Sequence, residues 1–133
     1  MRKKKIKIKV RKETKVYLSG CSQEALDSFG SLNALKVDGY LGLWYCAGLK
    51  KLPDGLMVGG VLNLGYCIGL TRLPDGLIVA GGLNLGHCIG LTSLPDDLNV
   101  GEVIWYNLKT GFCGHEHEPG VIPDHLKNKL HKH

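Results

Sequence analysis

The residue types best equipped for chemistry sit in CGHEHEPG, residues 113–120, where Cys113, His115 and His117 alternate along one short segment. Alternation in an extended chain turns a thiolate and two imidazoles the same way, and these are donors zinc prefers; Glu116, Glu118 and His125 add further ligands nearby. The spacing is not that of a zinc finger and no second cysteine pair follows. The segment therefore reads first as a polar loop with solvated histidines, and a metal at Cys113, His115 and His117 is the alternative. Cys113 and His115 also form a nucleophile and base on paper, but a catalytic pair needs an orienting third group and an oxyanion site, and nothing marks either. Asp54, Asp75 and Asp96 each follow Leu-Pro, where a carboxylate caps turn N–H groups, so they read as turn residues rather than acids or bases. No catalytic residue and no cofactor is expected.

At the other end, residues 1–15 hold nine Lys or Arg against one Glu, whereas residues 16–133 hold 8 basic and 11 acidic side chains. The net charge of +5 is thus an average over a basic arm and a mildly acidic body. Clustered cations neutralise phosphates, so Arg2, Lys3, Lys4, Lys5, Lys7 and Lys9 are candidates for nucleic-acid contact. Yet KIKIKV alternates strictly, with Ile6, Ile8 and Val10 on the face opposite the lysines. That pattern describes an edge strand covering the open end of a sheet, its charge discouraging further pairing. The cap is the first reading; nucleic acid or an acidic partner is the second, because Arg2 to Lys5 exceed what a cap needs.

The elements that would carry these residues are set by a repeat. LPDGL at 52–56, LPDGL at 73–77 and LPDDL at 94–98 stand 21 residues apart. In register, the units beginning at Leu35, Leu56 and Leu77 share LxVxGxLxLxxCxGLxxLPD, a weaker copy starts at Leu98, and VYLSGC at 16–21 matches part of an earlier one. A fixed short period means a solenoid, with degraded copies at the ends acting as caps. The pairs Leu41/Leu43, Leu62/Leu64, Leu83/Leu85 and Ile104/Tyr106 alternate with the strand period, so each coil adds one short strand to a parallel sheet. Too few residues remain for a helix of average length on the return side, which should be extended or carry a short 3₁₀ turn. Cys46, Cys67 and Cys88 recur in phase with the leucines and read as packing, with Cys21 a fourth.

The strand face should carry the binding chemistry. Read down the coils, its outward columns hold Tyr17, Gly42, Asn63, Asn84 and Trp105; then Trp44; then Tyr45, Tyr66 and His87; Tyr40 precedes its strand. Large aromatic area with few rotamers and polar tips, spaced by small residues, is the composition of binding hot spots. Tyr45 and Tyr66 read equally well as a stack that packs a coil corner. Tyr17, Tyr40, Trp44, Tyr45, Tyr66, His87 and Trp105 are the candidate partner-binding residues.

At LxLxxCxGLxxLP the chain resembles the leucine-rich repeat family in its cysteine-bearing form, with a period close to the short repeats of bacterial effector proteins. The resemblance spans about Leu35 to Phe112 and implies a concave strand face, with the cysteines as buried ladder residues and a protein or peptide as partner. One column departs from it. Where the family has leucine three residues before the strand, this chain has Asp38, Gly59, Ala80 and Gly101, and the apolar residue lies one step earlier, at Val37, Val58, Val79 and Val100. This shift leaves open a coil closer to a β-helix.

With 133 residues and 44% hydrophobic content, the chain suits one continuous core. The expected organisation is a single solenoid: 1–15 a capping strand or arm, 16–112 the repeats, and 113–133 an insertion loop with a C-terminal cap. The insertion follows from the ruler, because Ile122 of IPDHL stands 28 residues after Leu94, seven more than one period. Pro123 to His133 reads as a short helix whose Leu126 and Leu130 close the last coil. No apolar run reaches the ~20 residues needed to span a bilayer. In-phase thiols point to a reducing compartment, the cytoplasm, with a specialised export route as the other possibility. The expected function is non-enzymatic binding of a protein or peptide through the aromatic-spotted strand face, with nucleic-acid binding and metal binding as alternatives.

Overall fold

The computed structural model describes residues 15–17 and 36–133. The cationic residues 2–9, their alternating isoleucines and Cys21 lie outside the described residues.

Alternating Leu-x-Leu segments make the strands of a parallel β-solenoid. One sheet takes β1 (Lys15–Tyr17), β3 (Tyr40–Gly42), β5 (Leu62–Asn63), β7 (Leu83–Asn84), β9 (Ile104–Tyr106) and β10 (Leu130–Lys132), in that order. Its register repeats the sequence period, with Leu41 beside Leu62, Leu62 beside Leu83 and Leu83 beside Ile104. Each coil also contributes a two-residue strand to a second parallel sheet, formed by β2 (Lys36–Val37), β4 (Met57–Val58), β6 (Ile78–Val79) and β8 (Asn99–Val100). The displaced valines belong to this second sheet. Val37, Val58, Val79 and Val100 point inward and are buried, while Met57 and Ile78 beside them face outward.

Small residues make the bend between the two sheets. Successive coils approach so closely there that a Cβ added to Gly81 would lie 2.7 Å from the Gly60 carbonyl oxygen. After the strand each coil turns twice, at 65–66 and 68–69 in the coil of Leu62, then runs without regular structure to the Leu-Pro-Asp-Gly turn, where Gly55 and Gly76 adopt φ of 76° and 71°. Leu56 N donates to Pro53 O at 3.3 Å, closing a turn that needs positive φ at its third residue. Asp54, Asp75 and Asp96 are exposed on these turns.

The core is a stack of rings. Leu56, Val58, Leu62, Leu64, Cys67, Leu70 and Leu73 of one coil are all buried and sit on their counterparts above and below. The cysteines fill this ring and also satisfy backbone: Cys67 Sγ donates to Leu43 O and Cys88 Sγ to Leu64 O, each at 3.0 Å. Burial pushes the Cys88 thiol up to about 12, so it stays protonated and unreactive. No disulfide joins the described cysteines. In the next coil the in-phase residue is the exposed Lys109, and Thr110 Oγ1 donates to Leu85 O at 2.7 Å instead, so a hydroxyl one step later replaces the thiol.

The C-terminal segment closes the solenoid differently from one helix over Pro123 to His133. A 3₁₀ helix, Asp124–Lys129, buries Leu126, and the chain then extends into β10, whose Leu130 pairs with Ile104. Helix and strand cap different sheets. β10 covers the edge of β9, while His125 Nε2 contacts Leu98 O at 2.9 Å and Lys129 Nζ donates to Gly101 O at 3.4 Å, satisfying carbonyls that flank β8. Side chains thus serve as partners at an edge where no strand follows. No helix among the described residues is long and apolar enough to cross a membrane.

Candidate ligand-binding face

The outward residues of the six-stranded sheet are organised by asparagines. Asn63 Oδ1 accepts from Gly65 N at 3.0 Å and Asn84 Oδ1 from Gly86 N at 2.9 Å, each tightening the turn that leaves the strand. In the next coil Asn107 shifts its reach: Oδ1 accepts from His87 N at 3.1 Å and Lys109 N at 3.0 Å, and Nδ2 meets His87 Nδ1 at 2.8 Å. In three coils the residue that follows the strand exit has left-handed backbone, with an asparagine on the strand in two of them and Gly42 in the third. Tyr45, Tyr66 and His87 have φ of 61°, 62° and 59°, a region that costs a residue with a Cβ about 1 kcal/mol or more.

Stacking offsets part of that cost. The Tyr45 and Tyr66 rings lie 4.6 Å apart at 11°, and Tyr66 and His87 lie 4.1 Å apart at 10°. Such contacts contribute roughly 0.5–1.5 kcal/mol each beyond the area they bury. The column both packs the corner and remains accessible, with Tyr45 57% and Tyr66 40% exposed.

The tryptophans lie against glycines. Trp44 folds over Gly42, and Tyr40 meets it at 6.5 Å and 59°; Trp105 folds over Gly82, where any Cβ would collide with its ring. Both tryptophans are half-buried. Tyr17 pairs in register with Gly42, which sets its place on the face through the backbone. Between the Tyr40–Trp44 pair and the Tyr45–Tyr66 stack lies a recess of about 250 Å³, floored by Asn63, Gly65 and Asn84. Tyr40, Trp44, Tyr45 and Tyr66 therefore converge on one cavity, whereas Trp105 and His87 lie outside its lining.

Sequence reading overlooked an apolar column beside the aromatic corner. Ile68 and Ile89, one period apart, are 46% and 54% exposed, and Leu108, 75% exposed, continues the column of Tyr45, Tyr66 and His87. A signal was available for the first two: isoleucine recurs between a core cysteine and a glycine in CIG at 67–69 and 88–90, a position the repeat's core pattern does not use. The floor asparagines were also missed as donors, although they recur one period apart.

The C-terminal loop does not gather Cys113, His115 and His117. Cys113 packs against the core, while His115 and His117 are exposed. His115 Nδ1 meets Glu118 Oε1 at 2.8 Å, and that hydrogen bond holds the imidazole above its usual range. Among the described residues no three His, Cys, Asp or Glu side chains are placed to hold a metal. Glu116 turns inward instead, 9% exposed. Its carboxylate accepts from Gly114 N at 2.5 Å and Tyr106 OH at 3.4 Å and lies 3.9 Å from Lys132 Nζ. Backbone N–H donors hold it below the usual carboxylate range despite burial. The loop's acid is thus a fastener between β9, β10 and the insertion.

In comparison with known proteins, no family model, curated protein or solved structure matches the chain.

Proposed function

We propose that this chain is a non-enzymatic binding module, a short leucine-rich-repeat-like solenoid that engages a protein or peptide through the outward face of its six-stranded sheet. The observation that carries this reading is the aromatic column at the coil corner. Three consecutive coils hold a bulky ring at positive φ, where glycine would be unstrained, and two of those rings remain well exposed. Strain retained at a surface is expected where the surface is used. Exposed Ile68, Ile89 and Leu108 widen the same strip, and rings, amides and apolar side chains at a rigid corner suit a partner that buries them together.

A pull-down comparing wild type, Trp44→Ala/Trp105→Ala and a deletion of residues 1–14 tests the assignment. Loss of a specific partner in the double variant, with retention after the deletion, is the expected result. Loss on the deletion alone would move the function to the basic arm.

A further inference from the structure

The recess on the strand face has a polar inventory that narrows its ligand. No Asp, Glu, Lys, Arg or His side chain lines it, so its complement is uncharged. The two floor amides differ in a way the repeat explains. Asn63 is already engaged at both ends: Oδ1 accepts from Gly65 N and Nδ2 donates one of its two N–H groups to Tyr40 OH at 3.0 Å. One coil later Val61 stands where Tyr40 stood, so Asn84 keeps its Oδ1 bond to Gly86 N while Nδ2 donates to no group among the described residues. The floor thus offers a fixed amide donor beneath aromatic walls.

Uncharged aromatic walls with a donor between them suit a segment rich in carbonyls and poor in N–H groups. Proline lacks the backbone N–H, and polyproline II leaves its carbonyls fully outward. Dimensions agree as well. The lining runs from Tyr40 and Trp44 through Asn63 and Gly65 to Asn84, three successive coils. Two strand spacings amount to about 9.5 Å and one turn of polyproline II to about 9.3 Å, so equivalent ligand residues would meet equivalent coils.

We propose that this recess binds one turn of a proline-rich segment in the polyproline II conformation, with proline rings against Tyr40, Trp44 and Tyr66 and one ligand carbonyl accepting from Asn84 Nδ2. The proposal rests on the strand-face reading and specifies its ligand.

The test is titration of the ¹⁵N-labelled full chain with an oligoproline, and with a Gly/Ser peptide of equal length as control. Oligoproline should give saturable shifts at Trp44, Gly65 and Tyr66 that the control does not. Asn84→Asp keeps the acceptor for Gly86 N but removes the donor, and should weaken binding roughly tenfold with the rest of the spectrum unchanged. Absence of shifts at millimolar oligoproline, equal affinity in Asn84→Asp, or shifts produced by an oligosaccharide instead would overturn the proposal. If oligoproline fails but proline-free peptides selected on wild type lose binding to Trp44→Ala, the ligand class is wrong and the strand-face reading stands. If both fail, both readings fall.

Discussion

Tyr66 concentrates the tension between packing and exposure. Its ring is stacked on both sides, yet its backbone sits where only glycine is unstrained. Alanine there would lose the stack and keep the strain, whereas glycine would lose the stack and relieve it. Tyr66→Gly should therefore be more stable than Tyr66→Ala by about 1 kcal/mol, the reverse of the usual order outside turns. Urea unfolding of the two variants measures the difference, and an alanine variant as stable as the glycine one would contradict the strain. The column of aromatics was legible in the sequence because it obeys the period. Its left-handed backbone was not, because tyrosine, which fills two of the three positions, carries no signature of positive φ.

At the scale of elements, the end of the molecule depends on a carboxylate that the sequence presented as a metal-ligand neighbour. Alternation in CGHEHEPG suggested that Cys113, His115 and His117 face one way; the loop instead turns Glu116 inward and leaves both histidines in water. The pH dependence follows from the depressed folded-state value of Glu116. A group with a lowered folded pKa contributes stability above its unfolded value, near 4.5, and that contribution is lost as pH falls through the folded value. Glu116→Gln should cost about 1–2 kcal/mol at neutral pH and flatten the acid limb of stability against pH. Urea midpoints between neutrality and strong acid check this, and parallel curves for variant and wild type would contradict it. The tail is a short helix that buries Leu126, as its sequence predicts, but the helix is 3₁₀ and shorter than the spacing suggests. Leu126 and Leu130, four apart, fit a helical face, but the 3₁₀ helix ends at Lys129 and Leu130 joins the leucine column of the sheet. Strand pairing overrode local spacing.

The whole molecule is governed by the 21-residue coil, the part most legible in the sequence. Core leucines, cysteines and turn prolines all follow from one period, because each must sit on its counterpart one coil away. What the period did not disclose is the second sheet, since two-residue strands flanked by Gly59-Gly60 or Ala80-Gly81 are too short to show alternation. Deleting residues 56–76 joins Gly55 to Leu77 and recreates the natural Gly-Leu junction. That variant should keep its far-UV spectrum and unfold cooperatively at a lower midpoint, as a nearest-neighbour stack requires. Deleting residues 57–76 instead leaves Leu56 beside Leu77, shifts every later position by one and should abolish the fold. Equal tolerance of both deletions would refute the register.

On the proposed function, the six-stranded sheet and not the outer face of the four-stranded one meets the partner. Both carry exposed apolar side chains, Tyr45 and Tyr66 on one and Met57 and Ile78 on the other. Site-specific incorporation of a photo-crosslinking phenylalanine analogue at position 66 or at position 78, followed by irradiation with the captured partner, separates them. Crosslinking from 66 and not from 78 is the predicted result; crosslinking from 78 alone would contradict the account.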